Sequence, residues 1–224
     1  MDWLFYTADG YRIVLEKCRA EVGWLQWLAI LIALIPWAAV VWRPRERIGA
    51  LLIGGALSML WDLPGVISGL LYWPQMWPYA YGMAALFFVQ SGLILLETVR
   101  AEGCRFAITR EPANLFGIGL MIYLLLGHAW VADNFGHGAL FGISPGTALL
   151  AFYAIMLQSE RRPPEYLLYL PMLWGIVEGL QALRVKSLDG IIVFGAALVG
   201  TVLLFKKKGK QRWRAGRAAL DNRA

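Results

Sequence analysis

The feature that most restricts this chain is the length of its nearly uncharged apolar stretches. They cover residues 24–42, 48–71, 81–99, 115–130, 147–157, 166–183 and 190–205. About 20 apolar residues, each rising 1.5 Å along a helix, cross a hydrocarbon core of about 30 Å. A soluble domain would break its apolar residues into amphipathic stripes of period about 3.6. It would also carry about 25% charged residues, whereas this chain has 16% charged and 59% hydrophobic residues. Alternation along the stretches is low, which argues against a membrane β-barrel. The expected fold is all-α: one polytopic transmembrane bundle of about seven helices, preceded by an interfacial amphipathic helix.

Three regions follow: 1–23, the interfacial segment; 24–205, the bundle; and 206–224, a basic tail. In the first, Tyr11, Val14, Leu15, Cys18 and Val22 share one stripe, with Arg12, Glu16, Lys17, Arg19 and Glu21 opposite. Such a helix lies in the membrane interface or packs on the bundle. Asp9 is its expected N-cap. The mixed start lacks the short basic n-region of a signal peptide, so no processing is expected. The run 48–71 is expected to break at Trp61-Asp62-Leu63-Pro64-Gly65, and Asn114 to cap the helix that begins at 115.

Lys and Arg set the orientation, because cytoplasmic loops are enriched in them. Sixteen of the 21 fall in 43–47, 100–114, 158–165 and 206–224, and five on the other face. The N-terminus is therefore expected outside and the C-terminus in the cytoplasm. This asymmetry accounts for the net charge of +6 without nucleic acid. The tail is expected to lie on anionic lipid headgroups, at about 1 kcal/mol per basic residue near the surface. Cys18 and Cys104 fall on opposite faces, which rules out a disulfide between them.

The candidate chemistry gathers around residues 127–147. Ser144 suits an N-cap and Pro145 the first helical position. A helix from Pro145 to about Arg161 would be about 25 Å long, short of the bilayer. Its positive end would sit below the surface, facing an anion or a water-filled vestibule, or merely capped under a loop. His128 and His137 flank Asp133, but their spacing matches no metal motif. Asp62 and Glu178 are acids inside apolar runs, and each should face the bundle or water. Asp62 has the alternative of capping a restarted helix, and Glu178 that of pairing with Arg184. Gln90 is expected to bond another helix. The candidate binding residues are Asp62, His128, His137, Ser144 and Glu178. No nucleophile elbow, phosphate loop, zinc-protease pair or haem pattern is present, so neither an enzyme nor a cofactor is expected.

Several stretches carry a resemblance. They include Trp61 with Gly65, Phe87-Phe88-Val89-Gln90-Ser91-Gly92-Leu93, Gly127-His128 and Gly136-His137. Phe141-Gly142-Ile143-Ser144-Pro145, Pro171-Met172-Leu173-Trp174-Gly175 and Asp189-Gly190 continue it. In these the chain resembles a family of bacterial multi-pass membrane proteins known as domain of unknown function 6064. The family has a Pro-Cys-Pro-Thr-like run after the Phe-Gly, where this chain reads Ser144-Pro145-Gly146-Thr147 without a cysteine. The resemblance implies a bacterial inner-membrane bundle and no particular activity. Two functions fit the residues. One is a small permease or binding protein with an outward-facing polar vestibule. The other is a non-enzymatic accessory or assembly subunit, with Gly54-Gly55, the Trp-rich joints and the tail as contact surfaces for a membrane-protein partner.

Overall fold

The computed structural model describes residues 8–42, 47–72, 74, 79–100, 106–127, 144–160 and 162–221. Among these it is all-helical. The elements are α1 (Ala8–Val22), α2 (Leu25–Trp42), α3 (Arg47–Pro64), α4 (Ala80–Val99), α5 (Pro112–Ile122), α6 (Pro145–Met156), α7 (Tyr166–Val185) and α8 (Leu188–Asp221). π-Helical turns extend α3 over Gly65–Tyr72 and α5 over Tyr123–Gly127. One isolated antiparallel bridge joins Phe106 to Ser159.

Five helices are long and apolar enough to cross a membrane: Leu25–Trp42, Arg47–Tyr72, Ala80–Val99, Tyr166–Arg184 and Leu188–Lys207. The other two expected crossings are shorter apolar helices, Pro112–Gly127 and Pro145–Met156. The long helices turn large side chains outward: Trp27, Leu31, Met59, Val89 and Leu183 are all exposed. A water-soluble surface does not carry so continuous an apolar coat. Inward they present small residues. α2 buries Ala29, Ala33, Pro36, Ala39 and Val40, the pattern by which helices approach closely in lipid. At Gly54 a Cβ would stand 1.8 Å from the Thr98 hydroxyl oxygen, so α3 meets α4 there only because the residue is glycine.

The helices form antiparallel neighbours, α2–α3–α4 on one side and α7–α8 on the other, with α6 between them. Polar contacts fix which ends lie together. At one end, called here the Lys207 end, the Arg100 guanidinium donates to the Tyr166 hydroxyl at 3.0 Å. Lys207 Nζ donates there to the carbonyls of Leu157 (2.6 Å) and Ser159 (2.7 Å). At the opposite, Pro145 end, the Tyr72 hydroxyl donates to Glu21 (2.8 Å) and the Tyr123 hydroxyl to Asp189 (2.7 Å). The Tyr72 contact holds α1 against the bundle and Cys18 is buried under it. Burial, with the Glu21 carboxylate adding to it, pushes the Cys18 thiol up to about 11.

Several sequence expectations are corrected. α3 does not break at Asp62. Pro64 offers no N–H to the preceding turn, and the helix widens into a π segment from Gly65 instead of restarting. α1 already includes Asp9, which is therefore not its cap. Asn114 is not a cap either, since α5 begins at Pro112. Asn114 is buried and donates to Ala107 O (2.8 Å) and Gln158 Oε1 (3.0 Å), while Gln158 Nε2 returns a bond to Asn114 O (3.0 Å). This lock and the Phe106 bridge end α6 at Met156, well before Arg161. The last helix does not stop at Phe205 but continues through the lysines to Asp221.

Candidate functional site

The site is built on the start of α6. All twelve residues of this helix are buried. At 1.5 Å per residue it is about 18 Å long, little more than half of a hydrocarbon core. Ser144 is its N-cap: the backbone is extended (φ −85°, ψ 146°) and the side chain accepts from the Thr147 N–H at 3.4 Å. The Thr147 hydroxyl donates back to Ser144 O at 2.8 Å. Pro145 fills the first position, where a missing N–H costs nothing.

Beside this capped start stands Glu178 of α7. A Cβ placed on Gly146 would lie 3.8 Å from the Glu178 carboxyl carbon. The half-buried carboxylate accepts from Trp174 Nε1 at 3.1 Å, one turn back on the same helix. The hydrogen bond to Glu178 comes from Trp174, where the sequence reading considered Arg184. A negative group at a helix N-terminus meets the positive end of the helix dipole, about +0.5 charge. Asp189, in the first turn of α8, is buried and close enough to repel a charge on Glu178. Asp189 accepts from the Tyr123 hydroxyl, which reaches over from the π segment of α5. Four elements thus converge at the Pro145 end: α6 supplies a helix start, α7 and α8 a carboxylate each, and α5 a phenol.

The five residues singled out from sequence separate into three groups. Ser144 and Glu178 come together at this site. Asp62 joins a hydroxyl cluster between α3 and α4: it bonds the Ser91 side chain, and Ser91 meets Ser58. His128 and His137 lie outside the described residues, in the segment that leaves Gly127 and returns to Ser144. Between Asp62 and Glu178 the aromatic rings of α3, α4 and α7 pack on one another, tilted or edge-on. Trp61 lies 4.9 Å from Phe87, and Phe87 5.3 Å from Trp174, centroid to centroid. Gln90 bonds another helix as expected, donating to Leu167 O at 3.0 Å.

A family model described as a family of unknown function, DUF6064, matches residues 13–215. The chain belongs to this DUF6064 family. No curated protein and no solved structure matches it. The match spans all the transmembrane-length helices, so α6 and its acids lie within the family's own domain.

Sequence reasoning missed Asp189, Tyr123 and Trp174 as site residues. Asp189 sits in a turn with Arg184 and Lys186, where an acid looks solvated. Trp174 was readable, because residues four apart on a helix share a face. Among the described residues no cluster of three or more His, Cys, Asp or Glu has the arrangement of a metal site.

Proposed function

We propose that this DUF6064 protein is a small permease or binding protein of the bacterial inner membrane, with an outward-facing polar vestibule at the start of α6. The observation that carries the reading is the Glu178 carboxylate against Gly146, at the capped end of a fully buried half-length helix. A polar helix start and an acid at that depth are costly unless shielded or put to use. Glu178 at the helix start and Asp189 near it set two carboxylates against about half a positive charge, so the vestibule is net negative when both are ionised. Its ligand is then a small cation or a cationic solute, and not an anion. The orientation supported by the basic loops has the Pro145 end outside and the Lys207 end in the cytosol. On that cytosolic side the basic length of α8 lies on anionic headgroups. The protein performs no covalent chemistry in this reading.

The test is cation flux in proteoliposomes, with sodium, potassium and methylammonium as probes. Glu178→Gln is expected to lower flux at least ten-fold at an unchanged level of folded protein. A wild-type protein that moves and binds none of the three, or a Glu178→Gln variant as active as wild type, overturns the reading.

The second reading is an accessory or assembly subunit. Gly54 is spent on the α3–α4 contact, but at Gly55 an added Cβ would meet nothing within 4 Å, and Trp24, Trp27 and Trp42 are exposed. These faces remain available to another membrane protein. The reading predicts co-purification of a partner complex that is indifferent to Glu178→Gln.

A further inference from the structure

An apolar groove of about 600 Å³ runs between α4 and α7. Tyr79 and Gly82 stand at its upper rim on α4, and Leu180 on α7. Its floor is Trp61, Phe87 and Trp174, the same three rings that pack at 4.9 and 5.3 Å. None of the acids lines it, and Glu178 touches it only through the Trp174 indole. On α7 the lining runs from Leu170 to Leu180, about 15 Å at 1.5 Å per residue. On α4 it runs from Tyr79 to Phe87, about 12 Å by the same rise. Both lengths are about half of a 30 Å hydrocarbon core, which is the depth of a single leaflet. The groove starts at a tyrosine at the helix end, where aromatic side chains favour the headgroup level, and on α7 it continues one turn past the aromatic floor to Leu170.

We propose that this groove is a binding site for one acyl chain of a membrane phospholipid, drawn from the leaflet at the Pro145 end. Depth, lining and position select that occupant. A peptide or a polar solute would leave its hydrogen-bonding groups unmet against Leu86, Leu173, Val177 and the ring faces. A hydrocarbon tail has none to satisfy, and it gains dispersion contacts along the whole length of the groove. The headgroup stays at Tyr79, so the lipid need not leave its leaflet. The proposal rests on α4 and α7 crossing the bilayer and is independent of any transport at Glu178.

Gly82 supplies the test. A Cβ there meets nothing within 4 Å, and the same holds at Gly92 on the same helix, which does not line the groove. Replacing either glycine within a helix also removes a helix-weakening residue. The full chain is reconstituted in phosphatidylglycerol vesicles with a trace of a phosphatidylcholine bearing a diazirine midway along one acyl chain. After illumination, labelled residues are mapped by peptide mass spectrometry. Labelling is expected to concentrate on Leu86, Leu173 and Val177. It should fall about ten-fold in Gly82→Phe and stay at the wild-type level in Gly92→Phe. Wild-type labelling no stronger there than at lipid-facing Leu31 and Leu51 overturns the proposal, and needs no variant to fold. So does unchanged labelling in Gly82→Phe. Cross-linking of α4 and α7 to a second protein chain in place of lipid also overturns it.

Discussion

α2 and α6 have equally plain sequences and opposite surroundings. Neither contains a charged residue. α2 is 18 residues long, buries one thin stripe of small side chains and gives the rest to lipid. α6 is 12 residues long and buries every one. Apolarity alone therefore does not separate a lipid-facing helix from a core helix in this protein. Length and end chemistry do. A helix that reaches both headgroup layers can leave its terminal N–H and C=O groups to water, whereas one of half that length must have them met by protein. At α6 the N-terminus is met by Ser144, with the Glu178 carboxylate standing beside it, and beyond the C-terminus the Leu157 and Ser159 carbonyls are met by Lys207. An acid at the positive end and a cation at the negative end both complement the dipole.

The contrast is broken most directly by truncating a ring. Phe152 of α6 is fully buried, with Trp61 edge-on at 5.9 Å. Phe152→Ala is expected to cost about 3–5 kcal/mol, because the cavity it leaves cannot collapse in a close-packed core. Leu31→Ala in α2 removes a side chain that faces lipid and should change stability by less than about 0.5 kcal/mol. Thermal unfolding in mild detergent compares the two; similar midpoints would mean that α6 is not the core. A smaller effect is expected at the carbonyl end. Lys207→Met abolishes two charge-assisted hydrogen bonds and should cost about 1.5–3 kcal/mol. The exposed neighbour serves as its control, with Lys206→Met near wild type in the same melt. If the two lysines behave alike, the cap has no energetic role.

The third prediction concerns α1, which lies between these extremes, and it leaves stability untouched. With its pKa raised to about 11, Cys18 is almost entirely thiol at pH 8, and the thiolate is the reactive form. Maleimide labelling of Cys18 in a Cys104→Ser background should be slow at pH 8 and accelerate as pH approaches 11. Unfolding the protein should restore the rate of an ordinary thiol at pH 8. Fast labelling of the folded protein would detach α1 from the bundle and return it to the membrane interface.

Much of this arrangement is legible in the sequence, and the exceptions have a common cause. The ends of α2, α4 and α7 fall within one or two residues of the apolar runs, since charged joints, or before α4 an aromatic and Pro-rich one, mark where lipid stops. The ends of α5 do not, and α6 stops short of the extension to Arg161. They are set by Asn114 meeting Gln158 and by Lys207 meeting Leu157, contacts between residues 44 and 50 apart in the chain. Glu178 stands out in any reading as an acid within an apolar run. Its relation to Gly146 is invisible until α6 and α7 are packed side by side. Asp62 misleads because Asp-Leu-Pro imitates a helix start, and the chain answers the proline with a wider turn instead.

The Lys207 contact also bears on how the protein is made. A ribosome delivers Leu157 fifty residues before the ammonium group that closes its carbonyl. Until the final crossing has been synthesised, the short central segment has no partner for that end and no lipid-length span of its own. The capping of its carbonyl end is therefore a closing event of biogenesis, although the segment leaves the exit tunnel ahead of two longer ones. A nascent chain released before residue 207 would present this short helix, uncapped at its carbonyl end, to the quality-control proteases of the membrane.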